Sequence, residues 1–281
     1  MAKKRLILSN IYKYFCFTCK CYYICNLIFI SNILEKKAEN IILLSLSEKP
    51  FFTKKELANL LHSNNLAQTD NAFRQLVYKL TQAGMLQSPK RALYTTRIKP
   101  KFNIAPDNFI TKTRRLFTGS YSEIKYCIWS SSWLHEFMVH QPFSFFYIFE
   151  TEDDMLETTF NLFSDNKKEA FLKPNKNLIE NYISRIEKPV VIDKLPSRSP
   201  LIEQGKNYFP SLEKILVDIF CNTKLFSFYQ GNEMNNIFVN ATKKYYINYS
   251  SLLSYATNRG KKQEIKNYLE KVININPILT K

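Results

Sequence analysis

Residues 53 to 86, TKKELANLLHSNNLAQTDNAFRQLVYKLTQAGML, constrain the fold of this chain more than any other stretch. Thr53 and Glu56 have capping-box spacing, in which the threonine oxygen accepts a backbone N–H three residues on and the glutamate reaches back. A helix therefore starts here. Leu57, Leu60 and Leu61 then form one apolar stripe at helical period, and Phe73, Leu76, Val77 and Leu80 form a second after an Asn/Ser-rich turn. Two helices share a core. The second ends at Gly84, which takes the left-handed conformation without strain. Asn71, Arg74, Gln75, Tyr78 and Lys79 remain on the face away from the stripe, and these side chains reach phosphates and base edges.

The flanking segments extend this unit. Residues 33 to 46, ILEKKAENIILLSL, read as a preceding amphipathic helix. The segment MLQSPKRALYTT reads as a hairpin, with Met85 to Gln87 pairing Ala92 to Thr96 around Ser88, Pro89, Lys90 and Arg91. Three helices followed by a basic hairpin make a winged helix-turn-helix. In that arrangement Asn71, Arg74, Gln75, Tyr78 and Lys79 face DNA. Lys54 and Lys55 touch phosphates from the start of the preceding helix, and Lys90 and Arg91 sit at the wing tip. The competing reading is a helical protein-interaction module with the same hairpin.

Charge favours the first reading by its placement. Residues 1 to 100 hold 16 Lys+Arg against 5 Asp+Glu, residues 101 to 200 hold 13 of each, and residues 201 to 281 hold 11 against 6. The overall surplus of +16 carries less weight. A chain rich in Lys, Asn, Ile and Tyr and poor in Gly is also what an AT-rich coding sequence produces.

Beyond residue 120 the pattern changes to strands (YCIW, FSFFYIF, EAFLK, PVVID) alternating with helices (SSWLHEFMV, EDDMLETTFNLF, NLIENYIS). This predicts an α+β protein: a winged helix over 32–98, a mixed α/β domain over 99–200 that ends at the linker LPSRSP, and a helical C-terminal subdomain over 201–281. Residues 1–31 read as an extension. They include IYKYFCFTCKCYYICNLIFI, apolar over about 20 residues but carrying Lys13 and Lys20. A signal anchor, an accessory segment and a start assigned too far upstream all fit. The lysines and the DNA-reading module behind them favour the last two, and with them a cytoplasmic protein.

No motif announces a catalytic centre, cofactor or metal. Cys16, Cys19, Cys21 and Cys25 lack zinc-ligand spacing and a completing pair, while Cys127 and Cys221 sit in apolar runs as buried thiols. His135 and His140 are five residues apart, where a zinc protease needs four, and Val139 occupies the required place. Ser131 and His135 have no elbow or acid to complete a triad. Glu150, Glu152, Asp153, Asp154 and Glu157 follow an apolar strand, as nuclease metal ligands do. They equally suit the first turn of a helix capped by Thr151, favoured by its dipole.

Two C-terminal stretches carry a family resemblance: FPSLEKILVDIF at 209 to 220 and YINYSSLLSYATNRG at 246 to 260. With Pro210, Glu213, Leu216, Val217 and Asp218 in place, and the winged-helix pattern ahead of them, the chain resembles the AbiEi-like antitoxins of bacterial type IV toxin-antitoxin systems over about residues 33 to 275. The resemblance implies a non-enzymatic antitoxin and autorepressor. It would bind double-stranded operator DNA and counter a nucleotidyltransferase-type toxin, with direct binding of that toxin left open. Glu213 and Asp218 read either as a functional acidic pair or as a first-turn acid and a partner of Lys214. Tyr246, Asn248, Tyr249 and Tyr255 read as a ligand surface or as packing and capping residues. Two other functions stay open: a metal-dependent nuclease using the Glu150 to Asp154 region, and a protein-interaction scaffold.

Overall fold

Local caps and period set the helices of the N-terminal part. The computed structural model describes residues 21–280, so the expectations for residues 1–20, Cys16 and Cys19 included, lie outside the described residues. Helix α1 (Cys21–Leu46) starts well before the expected residue 33 and buries Ala38, Ile42 and Leu46 at four-residue spacing. A two-residue strand β1 (Phe52–Thr53) leads into α2 (Lys54–Ser63), where both halves of the capping box form. The backbone N–H of Thr53 donates to Glu56 Oε2 at 2.8 Å, and that of Glu56 to Thr53 Oγ1 at 3.2 Å. Helix α3 (Asp70–Gln82) is capped by Thr69 and stopped by Gly84 at φ +73°. The N–H groups of Met85 and Leu86 both return to the Leu80 carbonyl. Leu57, Leu61, Phe73, Leu76 and Leu80 share one core with α1.

The hairpin departs from expectation. Its strands are β2 (Gln87–Lys90) and β3 (Leu93–Thr95), so the turn falls at Arg91 and Ala92, with Ala92 at φ +60°. Met85 and Leu86 cannot open the ladder, because their N–H groups are committed to closing α3. Pro89 falls inside β2 because that strand lies at the edge of a sheet ordered β1-β3-β2, where a missing N–H breaks no ladder bond.

The chain divides into two units. One runs through Ser88 and includes Ala92–Ile98; the other comprises Pro89–Arg91 and the residues from Lys99 onward. The second unit is α+β. Asp107 caps helix α4 (Asn108–Ser120) by accepting the Ile110 N–H at 2.7 Å. Strands β4 (Tyr126–Ser130), β5 (Tyr147–Thr151), β6 (Ala170–Leu172) and β7 (Val190–Lys194) form a sheet ordered β4-β5-β7-β6. The β4–β5 pair is antiparallel, and β5 and β6 each run parallel to β7.

Strand period 2 gives this sheet two characters. Tyr126, Ile128, Tyr147, Phe149, Val190 and Ile192 belong to one dry core with Phe117 of α4 and Phe163 of α5 (Leu156–Asp165). Phe149 is its hub, with ring centroids 4.8 Å from Phe117 and 4.9 Å from Phe163. The alternate residues, Cys127, Trp129, Ile148, Glu150, Val191 and Asp193, face the other way.

Several segments depart from the sequence-based expectation. SSWLHEFMV forms a 3-10 turn over Ser131–Phe137, with the Ser132 N–H donating to Ser130 Oγ. The run FSFFYIF enters the sheet only at Tyr147. Thr151 does not cap a helix: it is the last residue of β5, and its hydroxyl donates to the Lys125 carbonyl at 3.2 Å. A short helix α6 (Lys176–Asn181) precedes β7.

After β7 the chain makes a two-stranded hairpin, β8 (Leu201–Gln204) and β9 (Asn207–Pro210), in a stretch expected to lead straight into helices. Four helices follow: α7 (Leu212–Cys221), α8 (Asn232–Lys244), α9 (Tyr249–Asn258) and α10 (Lys262–Lys271). Among the described residues no helix is long and apolar enough to cross a membrane.

Phe149→Ala empties the centre of the dry core. It is expected to lower the stability of the second unit by about 3–5 kcal/mol in urea unfolding monitored by circular dichroism. A loss under about 1 kcal/mol would mean that the core closes around the gap.

Candidate functional site

Two places in the molecule concentrate chemistry. On α3 the apolar stripe turns Phe73, Leu76, Val77 and Leu80 inward and leaves Asn71, Arg74, Gln75, Tyr78 and Lys79 exposed, Tyr78 at 65 %. The structure thus brings five expected residues together on one helical face. Lys55 is exposed at the start of α2. Lys54 is half-buried, with its ammonium 5.5 Å above the Phe73 ring and 4.0 Å from Asp70, which places it at the amino end of α3. Lys79 pairs with Glu35 of α1 at 3.3 Å. Lys90 lies half-buried in β2, Arg91 is exposed at the turn, and both group with the second unit. Lys49 and the Thr53 backbone hold the Glu56 carboxyl down to about 2, so it stays ionised, and its charge is offset by Lys49 at 2.7 Å.

The second place is inside the second unit, on the sheet face turned from the dry core. Helix α7 is apolar nearly all round, so its charged residues are carried into the interior. Lys214 has no exposed side-chain surface. Its ammonium donates to both oxygens of Glu150, at 2.8 and 2.6 Å, and to Asp218 Oδ2 at 2.5 Å. The other Asp218 oxygen accepts from the Tyr255 hydroxyl at 2.7 Å and from the Arg259 guanidinium.

This corrects the reading of Glu150 as one of a set of first-turn acids. It lies within β5 and its counter-ion is 64 residues away, whereas Asp153 is at the surface between Lys173 and Lys194. Among the described residues no group of three or more His, Cys, Asp or Glu could hold a metal ion.

The electrostatics follow from burial. Desolvation pushes the Glu150 carboxyl up to about 7 against the attraction of Lys214, and raises Asp193 as well. Burial alone would depress Lys214, but Asp218 and Glu150 hold its ammonium well above the ordinary lysine value. Cys127 beside them is pushed well up by burial and is no nucleophile.

Glu213 and Asp218 do not converge. Glu213 Oε1 accepts the Asn248 N–H at 2.8 Å, and Asn248 in turn caps α9 by accepting the Ser251 N–H at 3.0 Å. Tyr249 and Tyr255 are buried. His135 is lowered by burial, and His140 pairs with Glu233 at the surface.

Lys214 pairs with Asp218 as one reading of the sequence has it, whereas the joining of Glu150, Tyr255 and Arg259 to that pair, and the place of Asp193 beside it, are not legible along the chain. The available signal was a lysine and an aspartate four apart inside the apolar run LEKILVDIF. A helix hydrophobic on all sides is buried, and buried charges need partners.

The model of a family of unknown function, DUF6577, matches residues 72–275. The chain belongs to that family. The match starts within α3 and takes in the four-stranded sheet, the ionic cluster and α7 to α10 entire. No curated protein matches the chain.

Two outcomes are expected of the cluster. Lys214→Met strands Glu150 in the interior, leaves Asp218 only Tyr255 and Arg259, and should cost about 3–5 kcal/mol of the second unit's stability in urea. Glu150 is raised from 4.5 to about 7 on folding. Its contribution is therefore complete below its unfolded value and is lost as pH rises through 7. Between pH 5 and 7 the unfolding midpoint of Glu150→Gln should fall less than that of the parent; equal slopes would assign the titration to another group.

Proposed function

We propose that the chain is a DNA-binding transcriptional regulator of the antitoxin type. Its first unit would be a winged helix that reads operator DNA, and the protein would act in the cytoplasm without catalysing a reaction. The observation that carries the reading is the exposed face of α3: Asn71, Arg74, Gln75 and Tyr78 at helical spacing, held outward by a fully engaged core on the other side. Support comes also from connectivity. Helix, short strand, two helices and a hairpin, with sheet order β1-β3-β2, is the arrangement in which a last helix enters the major groove.

Arg and Gln are suited to bidentate contacts with guanine and adenine edges, and exposed Lys55, Lys79 and Arg91 to phosphates. The antitoxin role rests on the resemblance carried by Pro210, Glu213, Leu216, Val217 and Asp218. In this reading the neighbouring nucleotidyltransferase-type toxin is the functional partner.

Binding of the full chain to the DNA upstream of its own coding sequence, and to a scrambled duplex, across a salt series decides the matter. Tighter binding to the upstream DNA is expected. Arg74→Ala or Gln75→Ala should cost about 1–3 kcal/mol and relax the sequence preference. Lys90→Ala with Arg91→Ala should weaken both duplexes alike and reduce the salt slope by about 1 for each phosphate no longer neutralised. Equal affinity for both duplexes, unmoved by Arg74→Ala, would overturn the reading. Co-expression with the adjacent toxin tests the second half: growth should be rescued by the chain and lost without it.

A further inference from the structure

The ionic cluster forms one wall of a cleft of about 200 Å³ in the second unit. It lies toward the carboxyl ends of the parallel strands β5 and β7, where Glu150 and Asp193 are register partners, and side chains from α7 and Arg259 close its far side. The carboxyl ends of parallel strands are where open α/β sheets leave room for ligands.

The charges lining this cleft are not equally satisfied. Glu150 and Asp218 are bound by Lys214, with Tyr255 and Arg259 completing Asp218. Lys194 is paired with Asp153 at 3.0 Å. Asp193 has neither arrangement. Its only hydrogen bond among the described residues comes from the backbone N–H of Lys194, at 2.7 Å, and no ammonium or guanidinium lies within ion-pair distance of it. Lys173 and Arg259 act on it only at longer range. An ionised carboxylate offers about four acceptor sites, and within the fold Asp193, which lines the cleft, uses one of them, for the Lys194 N–H. On the same sheet face as Glu150 and Asp193, the side chains of Trp129 and Ile148 form with Leu225 and Phe226 an apolar floor that is itself buried: Trp129 stacks with Phe226 at 5.7 Å and is 1 % exposed.

We propose that this cleft binds a small organic cation, with an amidinium, guanidinium or primary ammonium head on Asp193. A planar head donates two hydrogen bonds to one carboxylate, the geometry that makes such pairs strong. The cation supplies the counter-charge that the fold withholds from Asp193. Arg259 does not repel it strongly, because its charge is already compensated by Asp218.

The test uses the full chain and benzamidine as the probe, with the neutral isostere benzamide and the anion benzoate alongside. Binding is read by tryptophan fluorescence and by calorimetry. Benzamidine should bind saturably, benzamide at least about tenfold more weakly and benzoate not at all. Asp193→Asn should weaken benzamidine by about tenfold or more. Lys194→Glu, an exposed change at the rim that leaves the buried groups alone, should tighten it several-fold at low salt, and so keeps the test decisive if Asp193→Asn folds poorly. Benzamide binding as tightly as benzamidine, affinity indifferent to both substitutions, or no saturation up to about 10 mM would overturn the proposal.

Discussion

A lysine ammonium removed from water must be compensated inside the fold, and Lys214 sets that requirement for the second unit. Its desolvation costs several kcal/mol, so α7 is stable only where carboxylates meet it. Asp218 comes from the next turn of the same helix, but Glu150 comes from β5. The pair therefore pins the rotation of α7 about its axis and its position along the sheet, which apolar contacts alone would leave looser. Asp218 then passes the constraint on to Tyr255 of α9 and to Arg259 at the C-terminal end of that helix.

The four-stranded sheet divides its work by strand period. The residues meeting α4 and α5 are aromatic and branched aliphatic and need no partners beyond close packing. The alternate residues carry the charges. Glu150 and Asp193 are neighbours across β5 and β7, yet one is answered by a buried lysine and the other lacks a cation at ion-pair distance. That asymmetry gives the cleft its chemical character.

The charges on α3 obey different physics. Arg74 is exposed and hydrated, so exchanging water and counter-ions for phosphate costs little and would depend steeply on salt. Lys214 has no water to exchange and is committed to the fold. A basic composition therefore says nothing about a given cation until its burial is known.

What could be read in the sequence was local. The start of α2 at Thr53, the stop of α3 at Gly84 and the outward face of Asn71, Arg74, Gln75 and Tyr78 depend on hydrogen bonds and periods spanning a few residues. The hairpin was legible as a hairpin but not in register, because the Met85 and Leu86 N–H groups were already committed to Leu80. Glu150 looked like one acid among five because sequence shows neighbours, and its partner is 64 residues away. Sequence by itself thus determined where α2 begins and where α3 stops, which faces of those helices are apolar and that Lys214 and Asp218 share a turn. Only the tertiary structure decided which buried charges meet and which carboxylate stays without a cation beside it, since a Coulomb interaction follows distance in space and not separation along the chain.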